Sequence, residues 1–160
     1  MALCGFPHSP NFQERRHPDE RAVAVSCFKR SSAVPRALIV DDEAGIRFAL
    51  KRWFERQQYQ VDEADDGEVA LRMLRESPDA EDQRYEVVVC DLHLPHLSGE
   101  AILGLLHTER PELAQRIILT TGDAVSDAPA GSVMGTHAYV LQKPFDLATL
   151  REMVARVRGM

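Results

Sequence analysis

Val87-Val88-Val89-Cys90-Asp91 is the stretch from which the rest of the chain can be placed. Four apolar residues in a row, three of them β-branched, read as a strand buried on both faces, the habit of a parallel sheet. Leu92-His93-Leu94-Pro95-His96-Leu97-Ser98-Gly99 follows, a loop punctuated by proline and glycine. Asp91 is therefore expected at the carboxyl end of a central strand, where open α/β sheets hold their ligand crevice. Taken alone, an aspartate in that place fits a turn cap as well as a ligand site. The neighbouring stretches decide between them.

Toward the N-terminus, Ala37-Leu38-Ile39-Val40 is a second buried run, leading into Asp41-Asp42-Glu43. Ile46, Ala49, Leu50, Trp53 and Phe54 then recur at helical spacing, with Arg47, Lys51, Arg52 and Glu55 on the opposite, solvated side. Tyr59 to Ala64 is a more polar strand, expected nearer an edge. Asp66-Gly67 makes a turn, and Val69, Ala70, Met73 and Leu74 mark the next helix. Ser77 to Arg84 is a polar connection into the strand that ends at Asp91.

Past the loop, Ala101, Ile102, Leu105 and Leu106 predict a helix from about Ser98, stopped before Pro111. Gln115 to Thr121 is a fourth strand. Residues 124–135 should hold another helix, weakened by Pro129, Gly131 and Gly135. Ala138 to Gln142 is the fifth strand, ending in Lys143-Pro144-Phe145. Leu147, Leu150, Val154 and Val157 give an amphipathic last helix opened by Asp146. Five strands alternating with five helical segments imply an α/β fold, a parallel sheet with right-handed crossovers and helices on both faces.

Composition narrows the function classes. The 160 residues are 44% hydrophobic and 28% charged, an ordinary globular balance. No stretch approaches the roughly 20 apolar residues that span a bilayer, and the start lacks a signal peptide's pattern. A cytoplasmic protein without a membrane partner is expected. Residues 1–35, with four prolines and no periodicity, read as a flexible N-terminal arm, leaving 36–160 as the domain. The net charge of −6 is uneven, because residues 37–160 carry 13 basic and 22 acidic side chains. So acidic a body is a poor ligand for nucleic acid and suits a cation site. Cys4, Cys27 and Cys90 are too few for a disulfide framework, and Cys4, His8, His17 and Cys27 match no usual zinc spacing. His96 and His107 read as surface histidines, and Cys90 as an inert small hydrophobe.

The strand ends carry the chemistry. Asp41-Asp42, Asp91, Thr120-Thr121 and Lys143 each close a strand, and a parallel sheet brings such ends to one edge. Three convergent carboxylates repel unless a hard divalent ion such as Mg²⁺ relieves them. A lysine and a threonine hydroxyl on the other flank suit phosphoryl oxygens. Together they outline a phosphoryl-transfer site with an aspartate nucleophile.

Four motifs carry a family resemblance over about residues 36–158: Leu38-Ile39-Val40-Asp41-Asp42-Glu43, Val89-Cys90-Asp91-Leu92-His93-Leu94-Pro95, Leu119-Thr120-Thr121-Gly122 and Gln142-Lys143-Pro144-Phe145. In this order, each at a strand end, they resemble the receiver (CheY-like) domain of two-component response regulators. The resemblance implies a doubly wound sheet of strand order 2-1-3-4-5. It makes Asp91 the phosphoacceptor, Lys143 the contact to the phosphoryl group and Thr121 the switch hydroxyl. It implies Mg²⁺ held by Asp41, Asp42, Asp91 and the backbone carbonyl of His93, with Asp41 acting largely through water. It also implies a cis Lys143-Pro144 bond, a sensor histidine kinase or phosphotransfer protein as donor, and His93 and Asp123 as tuners of hydrolysis. A downstream protein would read the switch; a homodimer is left open.

The sequence departs from the family pattern at Val140, where an aromatic is frequent; Tyr139 should face the other way. The chain ends just past the last helix, so no output domain is expected within it, whether it stands alone or resembles the receivers of hybrid kinases. A switch rather than an enzyme is expected: an aspartate-nucleophile phosphatase would carry a DxD on the first strand, and a Rossmann nucleotide binder a glycine-rich turn there. The rival reading is a pseudo-receiver, an interaction module that never carries phosphate.

Overall fold

The computed structural model describes residues 34–80, 83–123, 132–133, 136–137 and 139–159. In chain order these form β1 (Arg36–Val40), α1 (Ala44–Arg56), β2 (Gln60–Ala64), α2 (Gly67–Glu76), β3 (Tyr85–Asp91), α3 (Gly99–Glu109) and a one-turn α4 (Pro111–Ala114). Then come β4 (Ile117–Thr121), β5 (Ser132–Val133), β6 (Thr136–His137), β7 (Tyr139–Gln142) and α5 (Leu147–Arg158). Five strands make one parallel sheet in the order β2-β1-β3-β4-β7, which is 2-1-3-4-5 counted along the sheet. The apolar run at 87–90 lies in its central strand, as expected.

Alternation along the strands sorts the core into two halves. Leu38, Val40, Val88, Cys90, Ile117 and Leu119 pack with Ala70, Leu71 and Leu74 of α2 and Ile102, Leu103 and Leu106 of α3. Ala37, Ile39, Val87, Val89, Ile118 and Leu141 pack with Leu50, Trp53 and Phe54 of α1 and Leu150, Val154 and Val157 of α5. Tyr139 joins the α1–α5 half and Val140 the α2–α3 half, so the two do face opposite ways.

One expectation is extended and one corrected. Pro111 does more than stop α3: it opens α4, since proline at a first helical position lacks only a donor that has no partner there. In the expected helix over 124–135, Ser132-Val133 is instead extended and pairs antiparallel with Thr136-His137. Glycines at 131 and 135 and the β-branched Val133 and Thr136 disfavour a helix there. Residues 124–131 lie outside the described residues, as does the arm over 1–35 apart from Val34 and Pro35.

The β3–α3 loop is tied to the start of α2. Asp66 caps that helix, its Oδ1 accepting from the N–H of Glu68 (2.7 Å) and Val69 (3.4 Å). Its other oxygen, Oδ2, meets Nδ1 of His96, which sits at φ 60 in the loop. Gly67 donates to the Pro95 carbonyl, and a Cβ added there would stand 1.8 Å from the Leu97 oxygen. At the far end of α2, Arg110 Nη1 donates to the carbonyls of Leu74 (2.9 Å) and Ser77 (2.7 Å), satisfying acceptors the helix leaves unpaired.

Gly67→Ala should therefore destabilise the fold by about 1–3 kcal/mol. Gly104→Ala, in α3 with open space around the new Cβ, should stabilise it by about 0.5–1 kcal/mol. Urea unfolding followed by Trp53, the single tryptophan, checks both.

The hydrogen bond and charge of Asp66 raise the His96 pKa above 6.5 and lower that of Asp66. The pair's stabilising contribution is thus complete between the unfolded values of the two groups, and is lost as pH rises through the raised folded histidine value or falls through the lowered folded aspartate value. An NMR titration of the His96 ring should show a midpoint above 6.5 that falls back in Asp66→Asn, a change that keeps the helix cap.

Candidate functional site

Residues 37, 39 and 41 share one side of β1 and its extension, residues 87, 89 and 91 one side of β3, and residues 139, 141 and 143 one side of β7. All three sets include members of the α1–α5 half of the core. The period of the strands thereby turns Asp41, Asp91 and Lys143 toward one another, although they are 50 or more residues apart. Lys143 Nζ donates to Asp41 Oδ2 at 2.8 Å and to Asp91 Oδ2 at 2.9 Å. Burial works to lower the lysine pKa, but the two carboxylates outweigh it and hold the ammonium above its usual range.

Both carboxylates are buried, and each has backbone support. Asp41 Oδ1 accepts from the Glu43 N–H at 2.9 Å, and Asp91 Oδ1 from the His93 N–H at 3.4 Å. Asp42 stands exposed beside them. One oxygen from each of Asp41, Asp42 and Asp91 can be chosen so that all lie within 4.8 Å of one another. Three hard oxygen donors so close fit a Mg²⁺-like ion and suit few other ligands. Gly99 sets the floor behind Asp91: its N–H donates to the Leu92 carbonyl, and a Cβ there would lie 2.3 Å from the Asp91 carbonyl oxygen. Only glycine lets α3 start that close to the end of β3.

Thr121 ends β4 buried, one residue past Thr120, which lies in register with Asp91. Among the described residues the Thr121 hydroxyl accepts from the Asp123 N–H (3.1 Å) and makes no bond to the carboxylates. The Asp123 carboxylate lies 3.3 Å from His93 Nε2, so the β3 and β4 loops touch across the mouth of the site. Lys143-Pro144 is cis. Cys90 is fully buried, and that burial pushes its thiol pKa up, which fits an inert residue.

Two residues escaped the sequence reading. His96 reads as a surface histidine from sequence, and it pairs with Asp66 thirty residues away. Arg47 was assigned to the solvated side of α1, and its Nη1 instead donates to the carbonyls of Asp41 (2.7 Å) and Asp42 (3.0 Å). A cation in the first turn of a helix, where the dipole opposes it, was the available signal.

Known proteins share this fold and much of its sequence. The family model for the response regulator receiver domain matches residues 37–155. The response regulator MprA of Mycobacterium leprae is 36% identical over 126 residues, 78% of this chain and 50% of that protein. The chain thus spans about half the length of the curated relatives it matches. A response regulator receiver domain protein of Clostridium thermocellum has a similar structure, with a TM-score of 0.66 and 27% identity over 79% of this chain and 95% of that one. The response regulator TrrA of Thermotoga maritima, solved in complex with Mg²⁺-BeF, gives a TM-score of 0.61 and 27% identity over 78% and 99%. With a match over most of its length and the same strand order, the chain belongs to the response regulator receiver domain family.

Proposed function

We propose that this protein is the phosphoacceptor switch of a two-component relay, taking a phosphoryl group onto Asp91 from a phosphohistidine of a sensor kinase or phosphotransfer protein. The observation that carries this reading is the ammonium of Lys143 bridging Asp41 and Asp91 beside the exposed Asp42. Mg²⁺, held by Asp41, Asp42, Asp91 and the His93 carbonyl, would supply positive charge against the transferring oxygens.

The chain's own groups do the rest. An Asp91 oxygen lone pair forms the new P–O bond as the donor's P–N bond breaks; the pair from that bond returns to the ring nitrogen, and the donor ring, already protonated on its other nitrogen, leaves as neutral imidazole. Asp91 thereby becomes an acyl phosphate. Lys143, freed from the Asp91 carboxylate, turns to the phosphoryl oxygens. Thr121 swings its hydroxyl from the Asp123 N–H, from which it accepts, to those oxygens, to which its O–H donates, and draws the loop after β4 toward Asp91, shifting a two-state surface that a downstream protein reads. His93 and Asp123, already in contact over the mouth, limit how water reaches the acyl phosphate. The chain is substrate and switch, and the donor supplies the energy.

The donor must approach over the open edge of the site. Beside Lys143 runs an apolar groove of about 610 Å³ lined by Ile46, Ala49, Leu50, Pro144, Phe145 and Leu147. On α1, the helix that supplies one wall of the groove, Phe48 is 65% exposed, an unusual place for a ring. We assign this groove to the donor protein, because it opens beside Lys143, on the way to Asp91.

Incubation with Mg²⁺ and a small acyl phosphate should add the mass of one phosphoryl group to the intact chain. Asp91→Asn should add none, and chelation should abolish the adduct. A folded wild type that stays unmodified with small donors and with phosphohistidine proteins would instead favour the pseudo-receiver. Phe48→Ala should slow transfer from a phosphohistidine protein roughly tenfold, as expected for an exposed aromatic anchor, while labelling by the small donor stays unchanged. Single-turnover assays with the two donors separate these effects.

A further inference from the structure

Arg47 is the fourth residue of α1, where the positive end of the helix dipole opposes a cation. The rest of that helix start is plain. Its first turn carries no acidic residue, and its N-cap, Glu43, makes no side-chain cap bond. Nothing about the helix itself explains a guanidinium here. What the side chain reaches is the connection out of β1, where one nitrogen, Nη1, donates to two successive carbonyls, Asp41 at 2.7 Å and Asp42 at 3.0 Å.

The two aspartates depend on this clamp unequally. Asp41 is held from every side: its N–H donates to the Ala64 carbonyl, Oδ1 accepts from Glu43, and Oδ2 accepts from Lys143. Asp42 is exposed, and among the described residues its carboxylate accepts no hydrogen bond. Its closeness to Asp91 is therefore set by the backbone alone, and Arg47 holds the carbonyls on either side of that backbone's nitrogen and α-carbon.

We infer that Arg47 is a positioning residue for cation binding: it fixes the Asp41–Asp42 peptide so that the unsupported Asp42 carboxylate faces Asp91, without itself touching ion or phosphate. The inference rests on the cation-dependent reading of the same site. Partners one step behind the ligands set ligand orientation in this way, and losing one weakens metal binding while the ligands remain.

Calorimetric titration of the full chain with Mg²⁺ tests it, alongside labelling by a small acyl phosphate across a Mg²⁺ series. Arg47→Ala should weaken Mg²⁺ binding roughly tenfold and raise the Mg²⁺ needed for half-maximal labelling by the same factor. The labelling rate at saturating Mg²⁺ should hold. Arg47→Lys, whose ammonium also bridges two carbonyls, should recover most of the affinity. Arg47→Gln, which spans at most one, should not, and it decides the matter should the alanine chain fail to fold. Wild-type Mg²⁺ affinity in the folded variants would overturn the inference. So would a fall in the saturating rate with an unchanged Mg²⁺ dependence, which would put Arg47 at the phosphodonor. A wild type that binds no Mg²⁺ would remove the underlying reading of the site instead.

Discussion

Two buried carboxylates face each other across the carboxyl edge of the sheet, and one ammonium makes that tolerable. Asp41 and Asp91 would repel strongly in so dry a place, where charges are poorly screened and bringing a second one close shifts protonation or structure. Lys143, 2.8 and 2.9 Å from them, offsets the repulsion at the cost of its own burial. The third carboxylate, Asp42, is exposed and outside the lysine's reach, so three negative charges face one positive. The cluster is thus short of positive charge, and the exposed Asp42 marks the open side from which a cation would meet it. The remainder of the domain serves to keep these four side chains at this edge.

It does so with little machinery. The parallel sheet brings five strand ends together, and the strand period chooses which side chains look inward. Glycines complete the approach: residue 99 lets α3 begin against Asp91, and residue 67 lets the loop beyond Asp91 rest on α2. Asp66 serves the helix with one oxygen and the loop with the other. The loop that follows Asp91 is therefore tied both to the start of α3 and to α2, which suits a segment whose backbone carbonyl is expected to bind an ion.

Much of this was legible in the amino-acid order because the signals were local and of one period. The run at 87–90 announced a buried strand, and a carboxylate or lysine closing such a run announced the edge. Family motifs converted that edge into named residues. The unread parts were of another kind. His96 and Asp66 are brought together by the packing of a loop on a helix start, and no spacing records that. Arg47 looked like any solvated arginine because helical periodicity reports which face a residue occupies, not how far a long side chain bends back along the axis. The helix expected over 124–135 failed at Ser132-Val133 because the expectation came from strand–helix alternation, while the residues themselves, glycines beside β-branched positions, leaned toward a turn and extended chain.

The common facing of residues 41, 91 and 143 has a consequence for how such a chain can change over time. Within β1, β3 and β7 most apolar positions are interchangeable among Val, Ile and Leu at modest cost. Length is another matter. Deleting one residue from any of these strands would swap its two faces, sending a site side chain to the α2–α3 half and a core side chain into the crevice. Deleting two would restore the facing but pull the charged group back from the edge by nearly 7 Å, about two strand residues. The site therefore tolerates drift in spelling while forbidding drift in count, and insertions are confined to the connections between strands and helices.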